Sequence, residues 1–187
     1  MTLEAARESV LRTFRWIDGH ADMWRLFSDV RVLDAVTDHL AAVCAETRST
    51  KVAGIEARGF ILGAAVALHA HVGFVPIRKA EGLLPGDKVT ELAAPDYREQ
   101  RHLLRVQKRA VEDRDRVLLV DDWAERGNQA AAARALLERA GAHWAGIAVV
   151  VDQLPASRRD ELAPVHHIVT AEELGPSDGG GSSRLSP

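Results

Sequence analysis

A single cysteine, Cys44, is all the chain carries. No internal disulfide can form, and a reducing, cytoplasmic setting is expected. Its surroundings, Ala41-Ala42-Val43-Cys44-Ala45, read as a buried helix position and not as a nucleophile. No apolar run approaches the length of a membrane span, and Glu4, Arg7 and Glu8 leave no signal-like apolar core at the N-terminus, so no membrane partner is expected. Cationic excess is missing too: 24 Lys and Arg against 27 Asp and Glu give a net charge of −3 and a pI near 6.2, which argues against a nucleic-acid partner. No G-x-G-x-x-G follows a strand, there is no full P-loop, and Asp121-Asp122 lacks the Asp-x-Asp spacing of a phosphoaspartate phosphatase. The pairs His69/His71 and His166/His167 make no metal cluster, and no internal repeat is visible.

What is there is ordinary for a globular chain. With 187 residues, 47% hydrophobic and 27% charged, it suits one domain with a sizeable core, residues 1–174. Helical spacing marks residues 3–17 (Val10, Leu11, Phe14, Ile17) and residues 33–47 (Leu33, Val36, Leu40, Val43). Short apolar runs predict strands at 52–55, 71–77, 103–111, 117–120, 145–151 and 168–169, with helices over 60–70, 130–140 and 156–162 between them. The alternation argues for an α/β fold with a mainly parallel central sheet flanked by helices. Residues 83–98, with two prolines and a glycine, read as a long mobile loop. The Gly- and Ser-rich tail, 175–187, is expected to be disordered.

The chain is organised around Val117-Leu118-Leu119-Val120-Asp121-Asp122-Trp123-Ala124-Glu125-Arg126-Gly127-Asn128-Gln129. Four apolar residues predict a strand buried on both faces, with two carboxylates at its carboxyl end. A polar turn with one glycine leads into an alanine-rich helix that Gly141 ends. Amide N–H groups of a turn and a helix N-terminus bind an anion, and the carboxylates can hold ribose hydroxyls or a hydrated Mg²⁺. A solvated strand-to-helix turn is the plainer alternative for Asp121-Asp122.

This segment resembles the phosphoribosyl-pyrophosphate (PRPP) signature of type I phosphoribosyltransferases. Val52-Ala53-Gly54-Ile55-Glu56-Ala57-Arg58-Gly59-Phe60-Ile61-Leu62-Gly63 is very similar to a second segment as adenine phosphoribosyltransferases carry it, with Pro76-Ile77-Arg78-Lys79 and Leu84-Pro85-Gly86 following at similar spacing. The resemblance runs from about residue 14 to 174. It implies a type I phosphoribosyltransferase-like fold with a small N-terminal hood (about 1–32) and a flexible lid (about 82–98). Transfer of phosphoribose from PRPP to a purine-like, adenine-type base, with release of pyrophosphate and with Mg²⁺, is the implied activity. The partners are then PRPP and a nucleobase, and a homodimer is expected.

Residue by residue, the resemblance assigns Ala57, Arg58, Gly59, Arg78 and Lys79 to pyrophosphate, and Asp121 and Asp122 to the ribose hydroxyls and to Mg²⁺ through water. The 5′-phosphate falls to Arg126, Gly127, Asn128 and Gln129, where the family usually carries Thr-Gly-Gly-Thr; only the first glycine is kept and both hydroxyls are missing. Glu125 stands where hypoxanthine–guanine relatives carry an aspartate beside the purine and is expected to take a proton from the base; favourable charge near a helix N-terminus is its alternative. Asp96-Tyr97 sits where adenine enzymes carry Glu-Tyr and is the other catalytic candidate. Leu26-Phe27-Ser28-Asp29-Val30 resembles the family's Phe-Arg-Asp segment, with Ser28 at the arginine position. Trp24, Phe27 and Trp123 are candidates to stack on the base, or core aromatics. The altered turn keeps two functions open: an active purine-type transferase with unusual phosphate contacts, or a non-catalytic PRPP- or nucleotide-sensing module.

Overall fold

The computed structural model describes residues 2–79, 83–95 and 101–177. Asp96, Tyr97, Gly82 and the tail from Asp178 onward lie outside the described residues. Helix α1 (Leu3–Thr13) starts at the Thr2 cap, whose hydroxyl accepts from the Ala5 N–H. A hairpin follows, β1 (Trp16–Ile17) against β2 (His20–Ala21). Asp18 and Gly19, with φ of 50° and 74°, form its two-residue turn. Then come the short helix α2 (Met23–Ser28) and the long α3 (Val30–Glu46). The Asp-Gly pair therefore closes a hairpin where the sequence reading saw only a helix break.

The remaining elements are β3 (Lys51–Ile55), α4 (Arg58–His69), β4 (Gly73–Lys79), β5 (Lys88–Leu92), β6 (Leu103–Gln107), β7 (Arg116–Ala124), α5 (Asn128–Ala140), β8 (His143–Asp152), α6 (Ala156–Leu162) and β9 (Val165–Thr170). Among the described residues one seven-stranded sheet runs β5-β6-β4-β3-β7-β8-β9. Its five strands from β4 to β9 are parallel, and β5 and β6 add an antiparallel edge. The α/β expectation holds. Lys88–Leu92, read as part of a mobile loop, is instead a strand. Its residues are half-exposed and carry little apolar signal alone; pairing with β6 (Val89 opposite Val106) and the Arg139 Nη1 bond to the Thr90 carbonyl hold it.

Both sheet faces are covered. Leu118 and Val120 of β7 pack with Val10, Leu40, Leu62 and Val66 on one side, while Val117 and Leu119 pack with Leu136 and Leu137 on the other. That is why this strand shows no polar alternation. From β3 the chain crosses through α4 to β4 on one side; from β7 it crosses through α5 to β8 on the other. The crossover direction reverses between these adjacent strands, so a crevice opens at their carboxyl ends. Among the described residues no helix is long and apolar enough to cross a membrane.

Candidate active site

Two strand-to-helix turns frame the crevice. In the first, α4 packs on β3 without room for side chains. A Cβ on Gly54 would lie 2.0 Å from the Gly59 carbonyl oxygen, and one on Gly63 would lie 2.8 Å from Phe74 Cε2. The helix therefore begins at Arg58, two residues earlier than periodicity suggests, with Ala57 as its N-cap. No side chain caps it, so its first N–H groups remain available to an anion. Glu56, just before, is bound bidentately by Arg78 (3.3 and 3.2 Å) and by the Lys79 N–H (3.1 Å). The Arg78 bond and the neighbouring cation hold its carboxyl below the usual range.

The second turn leaves β7, which runs on to Ala124. Asp121 and Asp122 thus lie within the strand, not in a loop after it, because β8 continues to pair there (Asp121 opposite Val149, Ala124 opposite Asp152). Gly127 caps α5 at φ 70°, and a Cβ there would lie 2.8 Å from Leu154 Cδ2. The strained backbone and the crowding both require glycine. Helix α5 begins at Asn128, and it too has no side-chain cap. The Asn128 side chain is occupied otherwise: its Nδ2 donates to the Pro95 carbonyl (2.6 Å) and its Oδ1 accepts from Arg158 Nη2 (2.9 Å). What Asn128 can offer a phosphate is therefore its backbone N–H and not its side chain.

Between the turns stands the acidic pair. Asp122 is buried, and its Oδ2 lies 2.7 Å from Arg58 Nε, without hydrogen-bond alignment. The Asp122 N–H donates to Asp121 Oδ1 at 3.0 Å. Burial, then the charge of Asp122, pushes the Asp121 carboxyl well up. Burial also raises Asp122, while Arg58 opposes the shift. Two desolvated carboxylates with one cation between them favour a further positive partner. A donor set of carboxylates at the edge of a wet crevice suits a hydrated Mg²⁺.

The structure brings most of the sequence-predicted residues to one cleft of about 690 Å³. Its lining includes Ala57, Arg58 and Lys79 around the first turn, Asp121, Asp122 and Trp123 of β7, Glu125, Arg126, Gly127, Asn128 and Gln129 of the second turn, and Trp24 of α2. Of the described candidates, three are not on its wall. Gly59 lies behind, where its Cβ would meet Asp121 Oδ1 at 3.1 Å. Arg78 faces Glu56 and the Leu83 carbonyl. Phe27 packs toward the core, its ring edge-on to Trp24 at 6.0 Å between centroids. The neighbouring Ser28 bonds the Arg25 carbonyl and Asp29 caps α3, so the segment likened to Phe-Arg-Asp serves the helix junction.

Sequence reasoning missed Trp16, His20, Ala21 and Gln153, which also line the cleft. The hairpin that carries the first three was signalled by Asp18-Gly19 between apolar residues. Trp16 and Trp123 pack at 5.9 Å, and each meets Phe14 (5.2 and 6.3 Å), so the N-terminal hairpin and β7 share one aromatic cluster.

No family profile matches the chain. It is 43% identical over 143 residues to an adenine phosphoribosyltransferase of Streptomyces clavuligerus, an alignment spanning 76% of this chain and 79% of that one. Its fold is similar to that of the adenine phosphoribosyltransferase of Rhodothermus marinus (TM-score 0.77, 30% identity, 89% and 99% of the two chains covered). The Giardia lamblia enzyme complexed with 9-deazaadenine gives the same TM-score and identity, with 91% and 98% covered. Turns, acidic pair and likeness over most of the chain agree: this protein belongs to the adenine phosphoribosyltransferase family.

Proposed function

We propose that the cleft binds PRPP with Mg²⁺ and an adenine-type base, and that the 5-phosphoribosyl group passes to a ring nitrogen as pyrophosphate leaves. The observation that carries this reading is the pair of uncapped helix N-termini, at Arg58 and Asn128, opening on one cleft floored by Asp121 and Asp122. The N–H groups at Ala57 and Arg58, the Arg58 guanidinium and Lys79 receive the pyrophosphate end. Amide groups around Gly127, Asn128 and Gln129 receive the 5′-phosphate, with Arg126 adding charge. Asp121 and Asp122 accept from the ribose 2′ and 3′ hydroxyls and hold Mg²⁺ through its waters; when bound, the ion supplies positive charge to the leaving pyrophosphate.

Trp123 and Trp24 offer flat faces to the base, and Glu125, exposed at the cleft edge, accepts its proton. Holding both reactants in line is the main rate contribution of such a site, together with charge placed where the cation-like anomeric centre and the leaving group develop. Catalytic parts for Asp96 and Tyr97, and the lid role of the segment they belong to, remain proposals from sequence. Arg78 acts through Glu56, which lines the cleft and which it keeps ionised. No observation favours the non-catalytic sensing reading.

The test is calorimetric titration with PRPP and Mg²⁺, followed by pyrophosphate release with adenine. Heat on PRPP addition and release with adenine are expected; heat without release from any base would overturn catalysis, and no heat would overturn the whole reading. A homodimer is proposed as well, covering Ile61 and Leu68, which stand exposed seven residues apart on α4. Sedimentation equilibrium decides it, with a monomer mass as the contrary result. A cytoplasmic location accords with the lone Cys44, whose buried thiol is pushed up to about 11 and stays protonated.

A further inference from the structure

The cleft contains one polar side chain whose orientation is fixed by another. The Trp123 indole Nε1–H donates to Gln153 Oε1 at 3.0 Å, and both residues line the cleft. An indole N–H can only donate, so the carboxamide must turn its oxygen toward Trp123. The NH₂ is then the part of Gln153 left to meet a ligand: two donors and no acceptor.

Both partners are held in place. Trp123 sits in β7, paired with Val151 of β8, and its ring is packed against Trp16 and Phe14. The Gln153 N–H donates to the Ala124 carbonyl at 2.8 Å, extending the same ladder by one residue. The next residue is pinned too: the Leu154 N–H donates to Asp152 Oδ1 at 2.8 Å, and the buried Asp152 carboxylate is paired with Arg159. A donor on a rigid mount discriminates between ligands better than one on a free loop, because it cannot rotate to suit the wrong edge.

We propose that Gln153 is a specificity-determining residue: its NH₂, oriented by Trp123, donates to an acceptor atom of the heterocycle and disfavours a ring that presents an N–H or amino group there. The ligand class is a purine with an unprotonated ring nitrogen or a carbonyl on the edge facing residue 153; adenine carries such nitrogens at positions 1, 3 and 7. The inference rests on the reading of the cleft as a PRPP and base site. Gln153 is exposed in the open cleft; a base that covers it without offering an acceptor leaves its NH₂ unpaired and is disfavoured.

The experiment is a cycle between protein and base. Initial rates with PRPP and Mg²⁺ are measured for the full-length wild type, Gln153→Leu and Trp123→Phe, each with adenine and with 1-, 3- and 7-deazaadenine. Gln153→Leu is expected to lower kcat/KM for adenine by about 10- to 100-fold, and to change it less than about twofold for the one deaza analogue that lacks the partner nitrogen. Trp123→Phe frees the amide to turn, so the ratio between adenine and that analogue should shrink. A drop by the same factor for all four bases, or none for any, overturns the inference. If the wild type makes no product with any base, the proposed catalysis fails separately. The same cycle is then read from base affinities by calorimetry, where equal losses for all four bases overturn the role of Gln153.

Discussion

The two strand-to-helix turns that frame the cleft do the same geometric job by different means. At β3–α4 the backbone lies against backbone, and three glycines, Gly54, Gly59 and Gly63, make room for it. At β7–α5 a single glycine sets the bend, while Asn128 ties the turn outward to Pro95 and Arg158. The first turn is therefore rigid because nothing else fits. The second is held by side-chain hydrogen bonds, each worth on the order of 1 kcal/mol, and can be altered one bond at a time. This difference explains how the second turn departs from the family's Thr-Gly-Gly-Thr while keeping an uncapped helix N-terminus.

The comparison breaks most completely at Gly54. Gly54→Ala puts a methyl 2.0 Å from a backbone oxygen, where no rotamer change relieves it. Loss of about 3 kcal/mol or more is expected, read as a fall of roughly 10 °C in Tm; a wild-type melting curve would show that β3 and α4 can part freely. Next comes Arg58→Ala, expected to lower kcat/KM by about 10²- to 10³-fold. Because Arg58 opposes the upward shift of Asp122, its loss raises that group further, and the acidic limb of the rate profile should move to higher pH. An unmoved limb would mean that the ion pair plays no part in keeping Asp122 ionised.

Smaller effects test the second turn. Asn128→Ala should raise KM for PRPP about 3- to 10-fold, on the order of one hydrogen bond, with kcat nearly unchanged. Arg158→Ala should add little on top of it, since Asn128→Ala already removes the Asn128–Arg158 bond along with the one to Pro95; a coupling energy of about 0.5–1.5 kcal/mol is expected in the double-mutant cycle, and additive losses would show the two act separately. The smallest effect concerns stability without Mg²⁺. An acid whose folded pKa is raised binds its proton more tightly in the folded state, so the molecule loses stability as pH rises above the ordinary carboxylate range. Asp121→Asn should therefore raise Tm by a few degrees at pH 7, and the gain should fade as pH falls toward about 4. A gain independent of pH would rule out charge as its source.

Much of this site was legible. Val117 to Val120 announces a strand covered on both sides, and the Glu56-Ala57-Arg58-Gly59 string announces the first turn. The boundaries were less so. Whether Asp121 and Asp122 belong to strand or loop depends on β8 continuing beside them, which no local pattern records. Strand β5 likewise exists because β6 and Arg139 hold it. Phe27 was singled out for its ring and Gln153 was passed over, because burial and orientation follow from how α2 and the end of β8 dock. The Asp18-Gly19 turn was readable and would have placed Trp16 and His20 near the cleft.

The adjacency of β3 and β7 has a consequence for ligands. Parallel neighbours in a sheet stand about 4.8 Å apart, a spacing fixed by the peptide ladder between Lys51–Ala53 and Val117–Leu119. The two helix N-termini are mounted on that ladder as jaws on a fixed gauge. Substitution within the second turn can change what that turn presents to the cleft, but not the spacing of the strands behind it. For the proposed ligand, with an anion at each end, that gauge would be set by backbone, so this chain can vary its second turn without resetting it.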